Sequence, residues 1–262
     1  MSEEQKKFLK KYKYKKLLIL FIQIIIVVGL IFLWEYLSIN KYINPFIFSS
    51  PSKIVKTIYD LYLSNELFHH IGVTLYETVI AFAIGMLISI GLSTALYLYN
   101  FIYKVLDPFI TALNSLPKVA LGPMIIIVAG ANIKSVILMA VLINVIVSTV
   151  VITNGFYNTD KVRLKLLMSY KASKFQILKY LVIPSSINTI ISSFKLSISM
   201  SLIGVISGEF LVSSAGIGYL IIYGTQVFNL DLVLSGIVIL IVISSILYYL
   251  VLSIEKLIIK KK

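Results

Sequence analysis

Residues 156–183, FYNTDKVRLKLLMSYKASKFQILKYLVI, form a basic island of 28 residues between long hydrophobic runs. The island carries Lys161, Arg163, Lys165, Lys171, Lys174 and Lys179 against one acid, Asp160. The runs beside it, 135–153 and 184–211, approach the roughly 20 apolar residues with which a helix crosses the hydrocarbon core. Further out, similar runs recur at 17–37, 71–99, 108–130 and 232–252. Composition agrees, with 59% hydrophobic and 13% charged residues, where a soluble domain has about 25% charged. The expected fold is an all-α polytopic membrane protein of six transmembrane helices, with the island as a loop between spans 4 and 5. Residues 17–255 would be one six-span domain between a basic N-terminus, 1–16, and a basic tail, 256–262. With 262 residues, no separate soluble catalytic domain fits.

The net charge of +13 invites a nucleic-acid reading, but the bases cluster beside spans, where they set topology. Eighteen of the 24 bases fall in the N-terminus, the segment at Lys104, the island and the C-terminal tail. Four (Lys41, Lys53, Lys56 and Lys134) fall on the other side, which predicts a cell-membrane protein with both termini and the island in the cytoplasm. The first apolar run is longer than a signal-peptide core and lacks a cleavage site, so it reads as an uncleaved span. Cysteine is absent, which excludes disulfides and thiolate metal sites. Between the first two spans, Ser49-Ser50-Pro51 reads as a helix start. Ile54, Val55, Ile58, Tyr59 and Tyr62 follow as one apolar face, expected to lie at the membrane surface.

Within the island, Ser173-Lys174-Phe175-Gln176 fits a capping box. Two short helices are expected, about 160–170 and 173–182. These residues alone leave two readings open. One is an amphipathic pair held on anionic headgroups, each base adding about 1 kcal/mol. The other is a handle for a soluble partner.

Several blocks bear on that choice. Lys171-Ala172-Ser173, Phe175-Gln176-Ile177 and Leu181-Val182-Ile183-Pro184, followed by a serine-rich span, resemble the cytoplasmic loop of binding-protein-dependent ABC importer permeases. The run from Gly208-Glu209-Phe210 through Gly216-Ile217-Gly218-Tyr219 resembles the nitrate/taurine/sulfonate branch of that family. So do Asp107-Pro108, Leu116-Pro117-Lys118 with Gly122-Pro123, and Ser50-Pro51-Ser52. The resemblance implies coupling helices that dock on a cytoplasmic ATP-binding subunit through Leu167, Tyr170, Lys171, Ala172, Ser173 and Phe175. It also implies an extracytoplasmic solute-binding protein and a second permease chain, expected to be an identical copy. No cofactor is implied in this chain, since ATP would be bound by the partner. The implied solute is a small anion of the sulfonate, nitrate or taurine kind, or a pyrimidine precursor of thiamine. One departure stands out: Lys171 occupies the family's loop glycine, so lysine must accept a strained backbone or the turn must be built differently.

No Gly-Lys pair occurs, which excludes a phosphate-cradling loop of the GxxxxGK[ST] kind. The chain is expected not to be an enzyme. Ionisable groups inside spans are functional candidates by default, and Glu209 ranks first, followed by Lys118. Glu77 reads as reaching water at the outer end of span 2, and Lys195 as snorkelling to an interface. Ala81, Gly85, Ser89 and Ser93 form a small-residue stripe suited to close helix packing. The hydroxyl-rich fifth span divides evenly between packing and lining the translocation path, the latter through Ser197 and Ser201. Pro117, Pro123, Pro184, Gly216 and Gly218 are assigned structural roles. His69 and His70 point apart on a helix without further ligands, so they read as surface residues and no metal site is expected. A free-standing secondary transporter would need an ion-coupling site and often an inverted repeat, neither of which is visible. The coupling subunit of an energy-coupling-factor importer would carry Ala-Arg-Gly signatures, and the single arginine, Arg163, is not in one.

Overall fold

The computed structural model describes residues 3–259, and every regular element among them is helical. The tail bases Lys260, Lys261 and Lys262 lie outside the described residues, as do the side chains of Lys6, Lys7 and Lys256. Five helices are long and apolar enough to cross a membrane, or six if one bent pair counts as a span.

The first, α1 (Glu3–Ile39), is largely apolar on all sides after its basic first turns, and it is exposed along most of its length. Its far end is pinned to the segment that follows. The Glu35 carboxylate accepts the Ser52 N–H at 3.0 Å and the Ser52 hydroxyl at 2.7 Å, and Ser38 donates to the Ser49 carbonyl at 2.7 Å. After the single turn α2 (Pro45–Phe48), α3 (Pro51–Leu63) begins as expected, with Ser50 as N-cap and Pro51 in its first turn. It does not simply lie on a surface. Ile54 and Leu61 are buried, and the Ile54 carbonyl takes a hydrogen bond from Ser235 at 3.4 Å. Val55, Tyr59 and Tyr62 stay exposed, so the expected apolar face is split between core and surroundings.

The core is three helices, α4 (Glu66–Leu98), α7 (Ile133–Tyr157) and α10 (Ile183–Val212). Small residues let them approach closely. A Cβ placed on Gly204 would sit 2.5 Å from the Ala140 Cα, and one on Gly208 would sit 3.0 Å from the Val136 Cα. The stripe of Ala81, Gly85, Ser89 and Ser93 is buried against α7, with Gly85 beneath Asn144. Outside this core, α11 (Ile217–Gln226) and α12 (Leu230–Ile259) pack with α3 around Leu61, Ile217, Leu220, Leu232 and Ile239.

The third apolar run is broken, as its prolines predict. α5 (Asn100–Ser115) stops before Pro117, a short 3₁₀ turn covers Lys118–Leu121, and α6 (Gly122–Ala129) leaves at 94° with Pro123 in its first turn. The Lys118 ammonium donates to the Asn114 carbonyl at 2.6 Å, satisfying one of the acceptors that a helix end leaves free.

Pro184 lies in the first turn of α10, where the fifth span was expected to begin, but no helix starts there. The helix is continuous from Lys174 to Val212, through α9 (Lys174–Ile177) and a π-type turn, Leu178–Val182. Proline has no N–H to give the preceding turn, and widening that turn accommodates the missing bond. The remaining short helix, α8 (Lys161–Ser169), packs Leu164 and Leu167 against the cluster that holds Phe156 and Ile177.

Candidate functional site

The island folds into a rigid turn between α8 and α9. Asp160 caps α8, its Oδ1 accepting the Val162 N–H at 2.8 Å. At the other end, the Lys171 N–H bonds the Met168 carbonyl at 2.9 Å and the Ala172 N–H bonds the Leu167 carbonyl at 3.1 Å. That pair of bonds is a Schellman motif, which calls for a left-handed residue at the position of Lys171. Lys171 adopts it, with φ 57°, at a cost of roughly 1 kcal/mol for a side chain in that region. The lysine therefore accepts the conformation expected of the family's glycine. Next comes the expected capping box: Gln176 accepts the Ser173 N–H at 2.7 Å, and Ser173 accepts the Gln176 N–H at 3.3 Å.

The six residues expected to dock divide into two sets. Leu167 and Ala172 turn inward, half-buried against Phe156, Ile177 and Leu178. Tyr170 and Phe175 turn outward, 75% and 62% exposed, with Lys171 and Ser173 exposed beside them.

A second cluster lies at the opposite end of the core. Helix α11 begins at Gly216, which has no side chain to cap it and a φ of 111°. The four N–H groups that open a helix need acceptors, and remote side chains supply them. Gly216 N–H donates to His70 Nδ1 at 3.0 Å, and Ile217 N–H to Thr74 Oγ1 at 2.8 Å. Gly218 N–H donates to Glu209 Oε2 at 2.5 Å, and the Tyr219 N–H also reaches that carboxylate. The Thr74 hydroxyl in turn donates to Glu209 Oε1 at 2.7 Å. Side chains at Gly216 or Gly218 would fall on the Glu209 side chain, so these glycines are fixed by close approach.

A model of the family described as binding-protein-dependent transport system inner membrane component matches residues 78–261. The chain belongs to this family. Across 86% of its length it is 27% identical to a probable ABC transporter permease protein of Haemophilus influenzae, covering 91% of that protein. It is 27% identical to the formylaminopyrimidine transport permease protein ThiX of Halalkalibacterium halodurans, over 72% of this chain and 75% of that one. The putative aliphatic sulfonates transport permease protein SsuC of Bacillus subtilis is 26% identical, with coverage of 82% and 78%. The fold matches a chain in an inward-facing structure of the MetNI methionine ABC transporter, with a TM-score of 0.61 at 14% identity, covering 70% of this chain and 91% of that one.

In this permease, the residues expected along a path sit in varied places. Glu209 is 1% exposed and serves the α11 cap. Ser197 and Ser201 are fully buried on Asn144, which accepts from Ser197 at 2.6 Å and from Ser148 at 2.8 Å, and donates to Ser201 at 3.0 Å. Lys118 is half-buried at the α5–α6 break. Glu77 does not reach water; it is 1% exposed and lies against Glu209. Lys195 does not snorkel but pairs with Glu255 at 2.6 Å, joining α10 to α12. His70 is not a surface residue. It is buried and stacked on Tyr219 at 5.8 Å, because accepting from Gly216 holds its ring inward. His69 remains exposed. No group of three His, Cys, Asp or Glu able to hold a metal occurs among the described residues.

Asn144, which gathers Ser148, Ser197 and Ser201, is the residue of these clusters that the sequence reading missed. An asparagine alone in a long apolar run was its signal, since such residues bridge helices inside membranes.

Proposed function

We propose that two identical copies of this permease form the path of an importer, each docked on a cytoplasmic ATP-binding subunit through Tyr170, Lys171, Ser173 and Phe175. Leu167 and Ala172 anchor the docking turn from the inner side. Residues 17–255 act as one permease domain with both termini cytoplasmic, a placement supported by the asymmetry of Lys and Arg. A solute-binding protein delivers the solute to the opposite face, and ATP is hydrolysed by the partner and not by this chain. The solute is a small anion of the sulfonate class or a thiamine pyrimidine precursor, supported by the names of the relatives. Of the residues expected along the path, Lys118 keeps access to it, at the break between α5 and α6.

One observation carries the docking assignment. Two large aromatics stand exposed on a turn fixed by a Schellman motif and a capping box, and that turn runs without interruption into α10. Aromatic side chains are enriched where partners meet, and a rigid turn loses little entropy on binding.

The test is Phe175→Asp in the full chain, with the ATP-binding subunit identified among proteins that co-purify. The expected outcome is normal membrane insertion with loss of the ATP-binding subunit and at least about tenfold lower ATP-driven uptake, as for a hot-spot aromatic. Uptake and co-purification equal to wild type would remove the docking role.

A further inference from the structure

We infer that the cavity between the docking turn and the core helices is a binding site for one anionic phospholipid. The inference rests on the cytoplasmic placement of the turn proposed above. The cavity measures ≈ 330 Å³ and has an apolar floor that includes Phe156, Leu164, Met168 and Ile177. Its polar lining includes Lys161, Lys174 and Asn100.

Charge accounting points to an anion. The island's one acid, Asp160, is taken up by the Val162 N–H and by Arg163 at 3.4 Å. The nearest other acid, Asp107 of α5, acts on Tyr157 in the lining but is engaged by the Tyr103 hydroxyl, and neither Lys161 nor Lys174 forms an ion pair among the described residues. Lys174 has only a long contact, 3.5 Å, to the Leu98 carbonyl. Asn100 accepts the Tyr157 hydroxyl at 3.1 Å, which leaves its amide N–H donors for a headgroup oxygen. Basic pockets between transmembrane helices on the cytoplasmic side are suited to anionic headgroups.

The surroundings select a lipid over a soluble anion. Asn100 is the first residue of α5, an amphipathic helix that buries none of its residues and exposes Phe101, Val105, Leu106 and Phe109. The acyl chains of a lipid with its phosphate at Lys161 and Lys174 would lie along that face. A soluble anion would leave the apolar floor and the α5 face uncovered.

The experiment is native mass spectrometry of the purified full chain, titrated with phosphatidylglycerol, with phosphatidylcholine and with inorganic phosphate. It uses neither the ATP-binding subunit nor a transport assay, so a failure of the importer reading leaves the result intact. Phosphatidylglycerol is expected to be retained in preference to phosphatidylcholine. In a Lys161→Gln, Lys174→Gln double variant that preference should weaken about twenty-five-fold, two bases contributing roughly fivefold each. A Lys10→Gln, Lys11→Gln control should keep it. Equal retention of the two lipids, equal losses in both double variants, or saturation by inorganic phosphate in place of lipid would each overturn the assignment.

Discussion

Replacing Glu209 with alanine separates two roles for the same residue, path lining and helix capping. The carboxylate accepts the Gly218 and Tyr219 N–H groups at the start of α11, and Thr74 as well. Thr74 can turn to another acceptor, but the two backbone donors are fixed at a helix start, facing a carboxylate that is 1% exposed. An unsatisfied buried donor costs about 1–3 kcal/mol, so Glu209→Ala should lose roughly 2–6 kcal/mol. At about 2–4 °C per kcal/mol for a chain near this size, a midpoint of that range lowers the unfolding temperature by roughly 8–16 °C. Glu209→Gln keeps one acceptor and should lose about half as much. The assay is thermal unfolding of the purified permease in detergent, read by tryptophan and tyrosine fluorescence, alongside uptake in reconstituted vesicles. An alanine variant that unfolds within about 2 °C of wild type while losing uptake would refute the cap and return Glu209 to the path.

Lys171→Gly should stabilise the docking turn, since glycine adopts a positive φ without the roughly 1 kcal/mol penalty of a side chain; a rise of about 2–4 °C in unfolding temperature checks it, and a fall would mean that the lysine side chain is needed. Gly204→Ala should push α10 off α7, because the new Cβ meets the Ala140 Cα at 2.5 Å. A backbone cannot yield as a side chain does, so the expected loss is about 1–3 kcal/mol, measured by the same unfolding scan.

The elements most legible in the sequence were those governed by local chemistry. Long uniform apolar runs gave the spans, Pro117 and Pro123 gave the break, and Ser173 with Gln176 gave the start of α9. The missed features depend on contacts distant in sequence. Glu77 and Glu209 meet across 132 positions, so no local pattern could bring them together, and each was assigned alone. Pro184 reads locally as a helix start, and only its position in the folded helix shows that a widened turn absorbs it. His70 was hidden by its neighbour: a pair of adjacent histidines looks like one surface feature, yet helical geometry sends only one ring inward. Helix α11 was too short to register as a span and lay within a stretch notable for its glycines.

These placements bear on how motion at the proposed docking turn would spread. From Lys174 to Val212 the chain is one helix of 39 residues, about 58 Å long at 1.5 Å per residue. Phe175 lies at one end and Glu209, holding the start of α11, near the other. Close backbone contact at Gly204 and Gly208 ties α10 to α7, and the Asn144 cluster ties both to α4 through the Ala81 carbonyl at 3.4 Å. Lys195 and Glu255 add α12 to the same body. A displacement at Phe175 then has two outlets. It is absorbed at the π-type turn, Leu178–Val182, where the hydrogen-bond ladder is already irregular, or it moves α4, α7, α10, α11 and α12 together. The part with fewest ties to that body is α1, pinned mainly at its far end, whereas the bent pair α5–α6 rests on it through Gly122 against Leu211 and Met139 and through Tyr103 stacked on Tyr157. Lys118 stands at the bend of that pair, four residues before Gly122 seats on Leu211 of α10, so a path at the α5–α6 break would respond to a displacement at Phe175 through α10 itself.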